Sequence, residues 1–574
     1  MSNNHSYDAG KSAHKVNVND VFAIGFIIIL VWLYMYGWEG MHQQFQNSSA
    51  IAPVALDPSN LPYYTLRSVM RLVIGMVASF IFALVTGYAC AKNKHAARVL
   101  LPLINFMESV PLLGFLTFTT IFFLFLFPKS VMGLEAAAIF GVFTGQAWNM
   151  ALIMYQTIRI IPAELNEAAK MFQLNSWQKF WRIEMPYSVP GLLWNTMVSQ
   201  SAAWFALVAT EAIPIGNENV MLPGLGSYIQ LALNQADTTA IIYALSAIIL
   251  MIVFFDQFLF RPLVKWSEKF KYESIRSRNL HSSWVYNLIN NGILMPNVKR
   301  LYKASLFYFM NFPTMIANAF SIKRVEMPES IKMACTIGWY GAILYASVIG
   351  FSALWGFFPN GNMMYLLPMM FETTYRVAIA MGLSVLICTP LGIWIGMSPR
   401  LTRILQPIIQ IMAAIPQPIF FPIVAIAILM GGGSLDFWSI PLIMTGTSWY
   451  VLFNVIAGAS TIPSDMIEMS KIFNLKGLNW WFKFSIPCVF PYVVCGIISA
   501  AGGAWNSAIA AEIIQWGKNT ISIDGIGALV SKTIENNQLP QAALACAALC
   551  VLVALCVIFI WKPLYRLAET RYKI

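Results

Sequence analysis

Where 58% of residues are hydrophobic and only 11% charged, the few ionisable side chains set inside apolar stretches carry most of the chemical information. Arg71 and Arg376 lie a turn or two inside one end of their apolar segments, and Glu211 and Glu512 lie near the same end of theirs. A charge at such a depth is costly unless it is paired, hydrated or used. Three readings are open: an Arg–Glu pair serving as structure or gate, attraction of an anion into a path, or snorkelling of the arginine to the interface. Because the set occurs twice and one small anion needs no two equivalent sites, the pair is the favoured reading. Glu108 falls mid-way along another apolar segment, where it either lines a cavity or is a buried carboxyl satisfied by its neighbours. An acid there speaks against a strongly electropositive path. Trp204 and Trp505, each seven residues before its glutamate, are expected in packing rather than in a solute cage.

Several chemistries are excluded. The eight Cys are scattered through apolar stretches without a C-x-x-C, which marks buried, inert thiols. The five His are isolated and show no metal-ligand spacing. No G-x-x-x-x-G-K-[ST] loop is present, so the chain is not expected to bind and hydrolyse ATP itself. No Ser/His/Asp or Cys/His set appears in context, and the chain reads as a non-enzyme without a cofactor of its own.

Two further segments read as docking elements. The first is I-P-A-E-L-N-E-A-A-K-M-F-Q-L-N-S-W-Q-K-F-W-R-I-E-M-P (Ile161–Pro186), and the second is I-P-S-D-M-I-E-M-S-K-I-F-N-L-K-G-L-N-W-W-F-K-F-S-I-P (Ile462–Pro487). Each predicts a helix started after Pro, a break, and a second amphipathic helix stopped by Pro. Ala168 and Ala169 let another backbone come close, while Phe172 and Phe473 supply an apolar knob on a basic surface, suited to a soluble partner.

The elements that position these residues must be helices in lipid. Twelve apolar runs are long enough to span a bilayer: 21–39, 63–91, 98–127, 134–158, 188–213 and 238–260, then 333–358, 368–397, 401–430, 437–460, 489–514 and 540–562. The first has a long polar leader, a Trp- and Tyr-rich end and no small-residue cleavage site, so it is expected to be retained. Basic residues cluster on one side, with Lys92, Lys94 and Arg98, then Arg159, Lys170, Lys179 and Arg182, and twelve Lys/Arg between Arg261 and Lys332. The opposite loops hold only Lys129, Lys518 and Lys532. Both termini are therefore expected on the cytoplasmic side. The net charge of +11 is a membrane-facing cytoplasmic surface, not a nucleic-acid site. The apolar stretch 305–320 is expected to lie at the interface, since a thirteenth span would invert the second half.

An internal repeat organises the chain. At an offset of 301, Thr144–Trp148 returns as Thr445–Trp449, Pro162 meets Pro463, Glu167 meets Glu468, Phe172 meets Phe473, Pro186 meets Pro487 and Trp204 meets Trp505. Glu211 meets Glu512, and Gly224 and Gly226 meet Gly525 and Gly527. Upstream the offset is 305, where Arg71 meets Arg376, Gly87 meets Gly392, and Pro111 meets Pro416, while Glu108 meets Ala413. Six helices per half leave the repeats parallel, about an axis along the membrane normal, enclosing a central path.

Here the sequence resembles a known family. Glu167-Ala168-Ala169 with Met185-Pro186, and the degraded copy Glu468-Met469-Ser470 with Ile486-Pro487, are similar to the EAA loop of binding-protein-dependent ABC importer permeases. Gln173 and Asn474 stand where that pattern has Gly, and Asn tolerates the left-handed turn better than Gln. Ser68–Arg71, Thr373–Arg376, the Pro-rich stretch Pro407–Pro422 and W-x₆-E at Trp204–Glu211 and Trp505–Glu512 resemble the nitrate, taurine, alkanesulfonate and bicarbonate subgroup. The resemblance implies an all-α polytopic membrane protein, with two parallel six-helix repeats like type I ABC importer transmembrane domains. Its parts would be a cytoplasmic tail (1–20), a first repeat (21–266), a basic linker (267–332), a second repeat (333–567) and a tail (568–574). It implies a bacterial inner-membrane permease for a small solute, an anion such as a sulfonate, nitrate or bicarbonate. Glu167, Ala168, Ala169, Phe172 and Pro186, with Glu468, Met469, Ser470, Phe473 and Pro487, would contact two copies of a cytosolic ATPase that carries ATP and Mg2+. A periplasmic binding protein is implied by resemblance alone. The competing readings are an ion-coupled secondary transporter, for which only Glu108 is a well-placed carboxylate, and a non-transport scaffold.

Overall fold

The computed structural model describes residues 54–128, 130–215, 218–270, 283–290, 304–310, 363–536 and 538–571, with scattered positions in 25–35, at 300 and in 333–352. Apart from those scattered positions, the expected spans 21–39 and 333–358, the tail 1–20 and much of the linker lie outside the described residues.

Helix α1 (Leu61–Lys92) opens with Pro62 in its first turn, where the missing N–H has no intrahelical partner to lose. Asn93 then turns the chain, its side chain accepting the N–H groups of His95 and Ala96 to cap α2 (Lys94–Ser109). Val110 precedes Pro111 and is forced to extended geometry (φ −72°, ψ 124°), so α2 stops there. Helix α3 (Leu112–Leu126) leaves at 107° to α2. Helix α4 (Met132–Arg159) has Glu135 in its first turn and Arg159 in its last, both complementing the helix dipole. Next come α5 (Ala163–Met171), a π-helical stretch (Phe180–Glu184) and α6 (Met185–Glu211). The half closes with the antiparallel hairpin β1 (Ala212–Ile215) and β2 (Glu218–Met221), α7 (Leu225–Gln235) and α8 (Thr238–Phe255).

The second half repeats this order: α9 (Leu366–Gly396), α10 (Pro399–Ala414), α11 (Phe421–Gly431), α12 (Leu435–Ser460), α13 (Ser464–Ile472) and α14 (Ile486–Ala511). The hairpin β3 (Ile513–Trp516) and β4 (Asn519–Ser522), α15 (Ile526–Glu535) and α16 (Leu539–Cys556) follow.

Two expectations need correction. The runs 98–127 and 401–430 are not single straight spans. Each breaks before a proline, at Val110–Pro111 and at Ile415–Pro416, and the second pair bends by 86°. The runs 188–213 and 489–514 end in β-hairpins rather than continuing as helix. Among the described residues, seven helices are long and apolar enough to cross a membrane, or nine if each bent pair makes one crossing. Helix α6, with 27 residues, is a further long element, made more polar by Asn195, Ser199 and Gln200.

Within each half the central helix packs between two others, α4 between α1 and α6, and α12 between α9 and α14. Close approach depends on glycine: a Cβ at Gly87 would overlap Met154, and at the equivalent Gly392 it would overlap Val455. The broken elements pack on their own half and also reach the opposite one. Helix α3 meets α14 and α16, where the Cys546 thiol donates to the Gly114 carbonyl, and α10 meets α6 and α8. One apolar core therefore runs through both halves, joining Trp204, Leu207 and Phe255 to Ala414 and Val424.

Candidate functional site

At the end opposite the docking loops, α1 carries Arg67, Ser68 and Arg71 on one buried face. Arg71 donates from Nε to Glu135 Oε2 (2.6 Å), from Nη2 to Glu135 Oε1 (2.7 Å), and from Nη1 to Glu211 Oε1 (2.7 Å) and the Pro223 carbonyl (3.0 Å). Arg67 Nη2 donates to Glu135 Oε1 at 2.5 Å and Nη1 to the Tyr63 hydroxyl at 3.1 Å. Glu211 also accepts from Ser68 Oγ (2.6 Å) and from Gly226 N–H (2.6 Å), while Ser68 Oγ accepts the Leu225 N–H (2.9 Å). Its carboxylate thus sits on the N-terminus of α7, whose first N–H groups lack intrahelical partners. The paired Gly residues are required by space: a Cβ at Gly224 would overlap that carboxylate, and one at Gly226 would run into the Val208 backbone. Two positive and two negative charges meet here, each side chain at most 1% exposed.

The second half keeps the frame. Thr373 Oγ1 donates to Glu512 Oε1 (2.6 Å) and accepts the Ile526 N–H (3.0 Å), and Ala528 N–H donates to Glu512 Oε2 (3.0 Å). Arg376 reaches Glu512 (3.3 Å), the Asp524 carbonyl (2.7 Å) and Asp436 Oδ1 (2.6 Å), with Glu372 at 3.6 Å. Asp436 stands where the first half has Glu135, and Glu372 stands where it has Arg67. Arg67, Glu135, Glu372 and Asp436 were not singled out from the sequence. The repeat register was the available signal, since it aligns an acid with an acid and an arginine with an acid.

The docking loops share one backbone. In each, α5 or α13 ends in a left-handed residue, Gln173 (φ 49°) and Asn474 (φ 49°), at the position where the resembled pattern has Gly. Leu174 N–H returns to the Ala169 carbonyl (3.0 Å) and Leu475 N–H to that of Ser470 (3.0 Å), satisfying carbonyls at the helix end. Ala169 and Ser470 are buried, Ala168, Pro186 and Pro487 are partly buried, and Glu167, Glu468 and Met469 are exposed. Phe172 and Phe473 point out at 78% and 68% exposure, adjacent to exposed Met171 and Ile472.

Their surroundings differ. In the first half, Glu184 is buried and pairs with Lys92 at the end of α1, with Lys179 at 3.6 Å. Asn175 and Gln178 form a reciprocal cap, and the rings of Trp177 and Trp181 pack on Phe309 of the linker, to whose carbonyl Trp177 Nε1 donates (3.1 Å). In the second half, Lys92 and Glu184 are replaced by Met397 and by Ser485, whose hydroxyl has no partner among the described residues; Leu478 and Phe482, equivalent to the two tryptophans, are exposed.

Between the halves, at the level of the broken helices, lies a cavity with about 90 Å³ of water-accessible space, room for several waters or a small solute. Equivalent residues of both halves face it, including Thr144 and Thr445, Trp148 and Trp449, and Glu108 and Ala413. Glu108 is its one charged side chain, and it makes no ion pair or hydrogen bond among the described residues. Arg71, Arg376, Glu211 and Glu512 do not line this cavity. Nor do Trp204 and Trp505, which are buried in packing, Trp204 edge-on to Phe255. No group of His, Cys, Asp or Glu with metal-site geometry occurs among the described residues.

Residues 79–261 and 388–574 each match the family model described as binding-protein-dependent transport system inner membrane component. The chain is similar to the bicarbonate transport system permease protein CmpB of Synechocystis sp., 31% identical over 170 residues, or 30% of this chain and 58% of that protein. It is similar to the nitrate import permease protein NrtB of the same organism at 28% over 147 residues, or 26% of this chain and 52% of the relative. A third relative, the glycine betaine/proline betaine transport system permease protein ProW of Escherichia coli, is 26% identical over 162 residues, or 28% of this chain and 43% of that protein. The chain thus spans about half the length of each of these relatives.

Proposed function

Since the chain belongs to the family of binding-protein-dependent transport system inner membrane components, with the two-repeat fold of type I ABC importer transmembrane domains, we propose that it is the permease subunit of an ATP-driven importer. The observation that carries this reading is the duplicated docking loop with an outward phenylalanine at one end of a bundle whose halves meet at a solute-sized cavity. In this reading, Phe172 and Phe473, with the Glu167–Ala169 and Glu468–Ser470 turns, dock two copies of a cytosolic ATPase that binds ATP and Mg2+. One chain supplies both halves of the path. The loops face the cytoplasm of a bacterial inner membrane with both termini on that side, and a substrate-binding protein delivers solute at the opposite face.

ATP-driven closure of the ATPase pair would draw the two loops together and rock the halves. The bends at Val110–Pro111 and Ile415–Pro416 lie beside the cavity and are the natural places for the path to open, because their backbone is already interrupted. The bicarbonate and nitrate relatives support a small polyatomic solute, and they support the anion expectation by kinship. The test is ATP-dependent uptake by the assembled complex in liposomes. Phe172→Glu combined with Phe473→Glu is expected to abolish ATPase binding and uptake while the permease stays folded. Stable ATPase assembly in that variant overturns the docking assignment. A second reading, an ion-coupled carrier, is favoured by one observation, the carboxylate of Glu108 at a helix break. Uptake that continues without ATP under a proton or sodium gradient would select it.

A further inference from the structure

We propose that the β3–β4 hairpin is a latch across the outer end of the path, rooted in the second half and fastened to α7 of the first. The proposal rests on the reading of the chain as an importer whose halves rock, and it assigns particular residues to the outer closure.

Position is the first argument. Ser507 faces the cavity one turn before α14 ends at Ala511, and β3 begins two residues later at Ile513. The hairpin therefore lies on the side of the cavity away from the docking loops. Its loop has two residues, Gly517 and Lys518, with Trp516 paired to Asn519. Gly517 takes φ 62°, a left-handed value that glycine adopts freely at the first position of a tight hairpin turn.

Fastening is the second argument. Gly517 N–H donates to the Leu233 carbonyl (2.8 Å) in the last turn of α7. The Gln230 side-chain amide, held by Asn234 Oδ1 (3.0 Å), donates to Gln515 Oε1 (3.3 Å). A Cβ at Gly517 would stand 3.3 Å from the Ala236 Cβ, so the turn is seated against the end of α7. Beneath it, Trp516 and Ile521 join the apolar cluster that contains Leu233.

The roots are the third. Helix α7 is held to the first half at its N-terminus, where Ser68 Oγ accepts the Leu225 N–H and Glu211 accepts the Gly226 N–H. The hairpin is held to the second half by fully buried Ile514 and by Ile523 N–H, which donates to the Glu512 carbonyl (3.1 Å). The two sides of the latch thus belong to different halves, and each is braced by the charged joint of its own half. Parting the halves at this end must break the Gly517–Leu233 and Gln515–Gln230 bonds. Both are neutral hydrogen bonds, which exchange for water at modest net cost, so the latch can open and reclose within a cycle.

The test uses the full chain assembled with its ATPase in lipid nanodiscs. Gln230→Cys with Gln515→Cys places one thiol on each half, to be joined by a short bifunctional methanethiosulfonate and counted by peptide mass spectrometry. Gln515→Cys with Thr520→Cys, directly opposed within the hairpin, gives the yield that rocking leaves level. The cross-half yield is expected to fall about tenfold or more with ATP and vanadate, as for an equilibrium moved from mostly closed to mostly open. Gly517→Ala, which strains the turn and presses on Ala236, is expected to lower the nucleotide-free yield about two- to tenfold. An unchanged yield in that variant, or a cross-half yield indifferent to nucleotide in a complex that holds its ATPase and traps vanadate, overturns the latch alone. A chain that does not bind the ATPase fails the importer reading beneath it.

Discussion

At equivalent positions the first half holds Arg67, Arg71, Glu135 and Glu211, and the second holds Glu372, Arg376, Asp436 and Glu512. The shared part is a hydroxyl, a glutamate and the N-terminus of the following short helix, which fixes α7 and α15 against α1 and α9. The unshared part is the sign of one residue. With arginine at 67 the cluster is balanced and closed to solvent. With glutamate at 372 it carries three acids around one arginine, and Glu372 and Asp436 are 47% and 60% exposed. The same frame therefore makes a locked joint in one half and an open, excess-negative one in the other. The proline-framed loops differ in the same sense, because the first is tied by Lys92–Glu184 and covered by Phe309, and the second has no equivalent of either among the described residues.

The largest expected effect comes from unlocking the first joint. Glu135→Gln leaves buried Arg67 without a carboxylate and Arg71 with Glu211 alone, and should cost about 3–5 kcal/mol, whereas Asp436→Asn, on an exposed partner, should cost no more than about 1 kcal/mol. Thermal unfolding of the two variants in the same detergent reads the contrast, and equal losses would erase the distinction between the joints. Next in size is the tie at the first docking loop. Lys92→Met, which copies the second half, removes a charge-assisted bond to buried Glu184 and should cost about 1.5–3 kcal/mol, with faster hydrogen exchange across 176–184. Unchanged exchange there would mean that the tie does not stiffen the loop.

Two smaller changes sharpen the comparison from the other side. Glu372→Arg installs the first half's charge in the second, and it should raise stability by up to about 1 kcal/mol by giving Asp436 a second cation. A loss of stability would show that Arg67 depends on its own surroundings and not on its charge. Finally, Gln173→Gly and Asn474→Gly relieve the left-handed residues. The first should gain up to about 1 kcal/mol and the second less, since Asn already tolerates that conformation. Equal gains in chemical denaturation would contradict this ranking.

Much of the molecule was readable from particular residues. Pro162 and Pro463 marked the starts of α5 and α13, and the matched Glu211 and Glu512 marked a joint that the structure builds on Arg71 and Arg376. The bends were not read, although Pro111 and Pro416 were noted as matched. A proline in an apolar run permits either a gentle kink or a sharp break, and α3, packed against α4, α14 and α16, stands at 107° to α2. Trp148 and Trp449 stand in the sequence only as repeat markers, and nothing local sets them in the cavity while Trp204 and Trp505 are buried in packing, because helical facing depends on which neighbour each helix meets.

The linear chain thus determined the lipid-soluble class, the duplication and the two proline-framed loops, since hydrophobic length, charge bias and proline punctuation are local properties. Which charges neutralise one another, and which is left facing the central space, were decided only by tertiary structure. Arg71 meets Glu135 across 64 residues and Glu211 across 140, and no local rule ranks such partners. Glu108 lines the cavity without an ion pair because the arginines nearest in kind, Arg71 and Arg376, are drawn to Glu135, Glu211, Asp436 and Glu512.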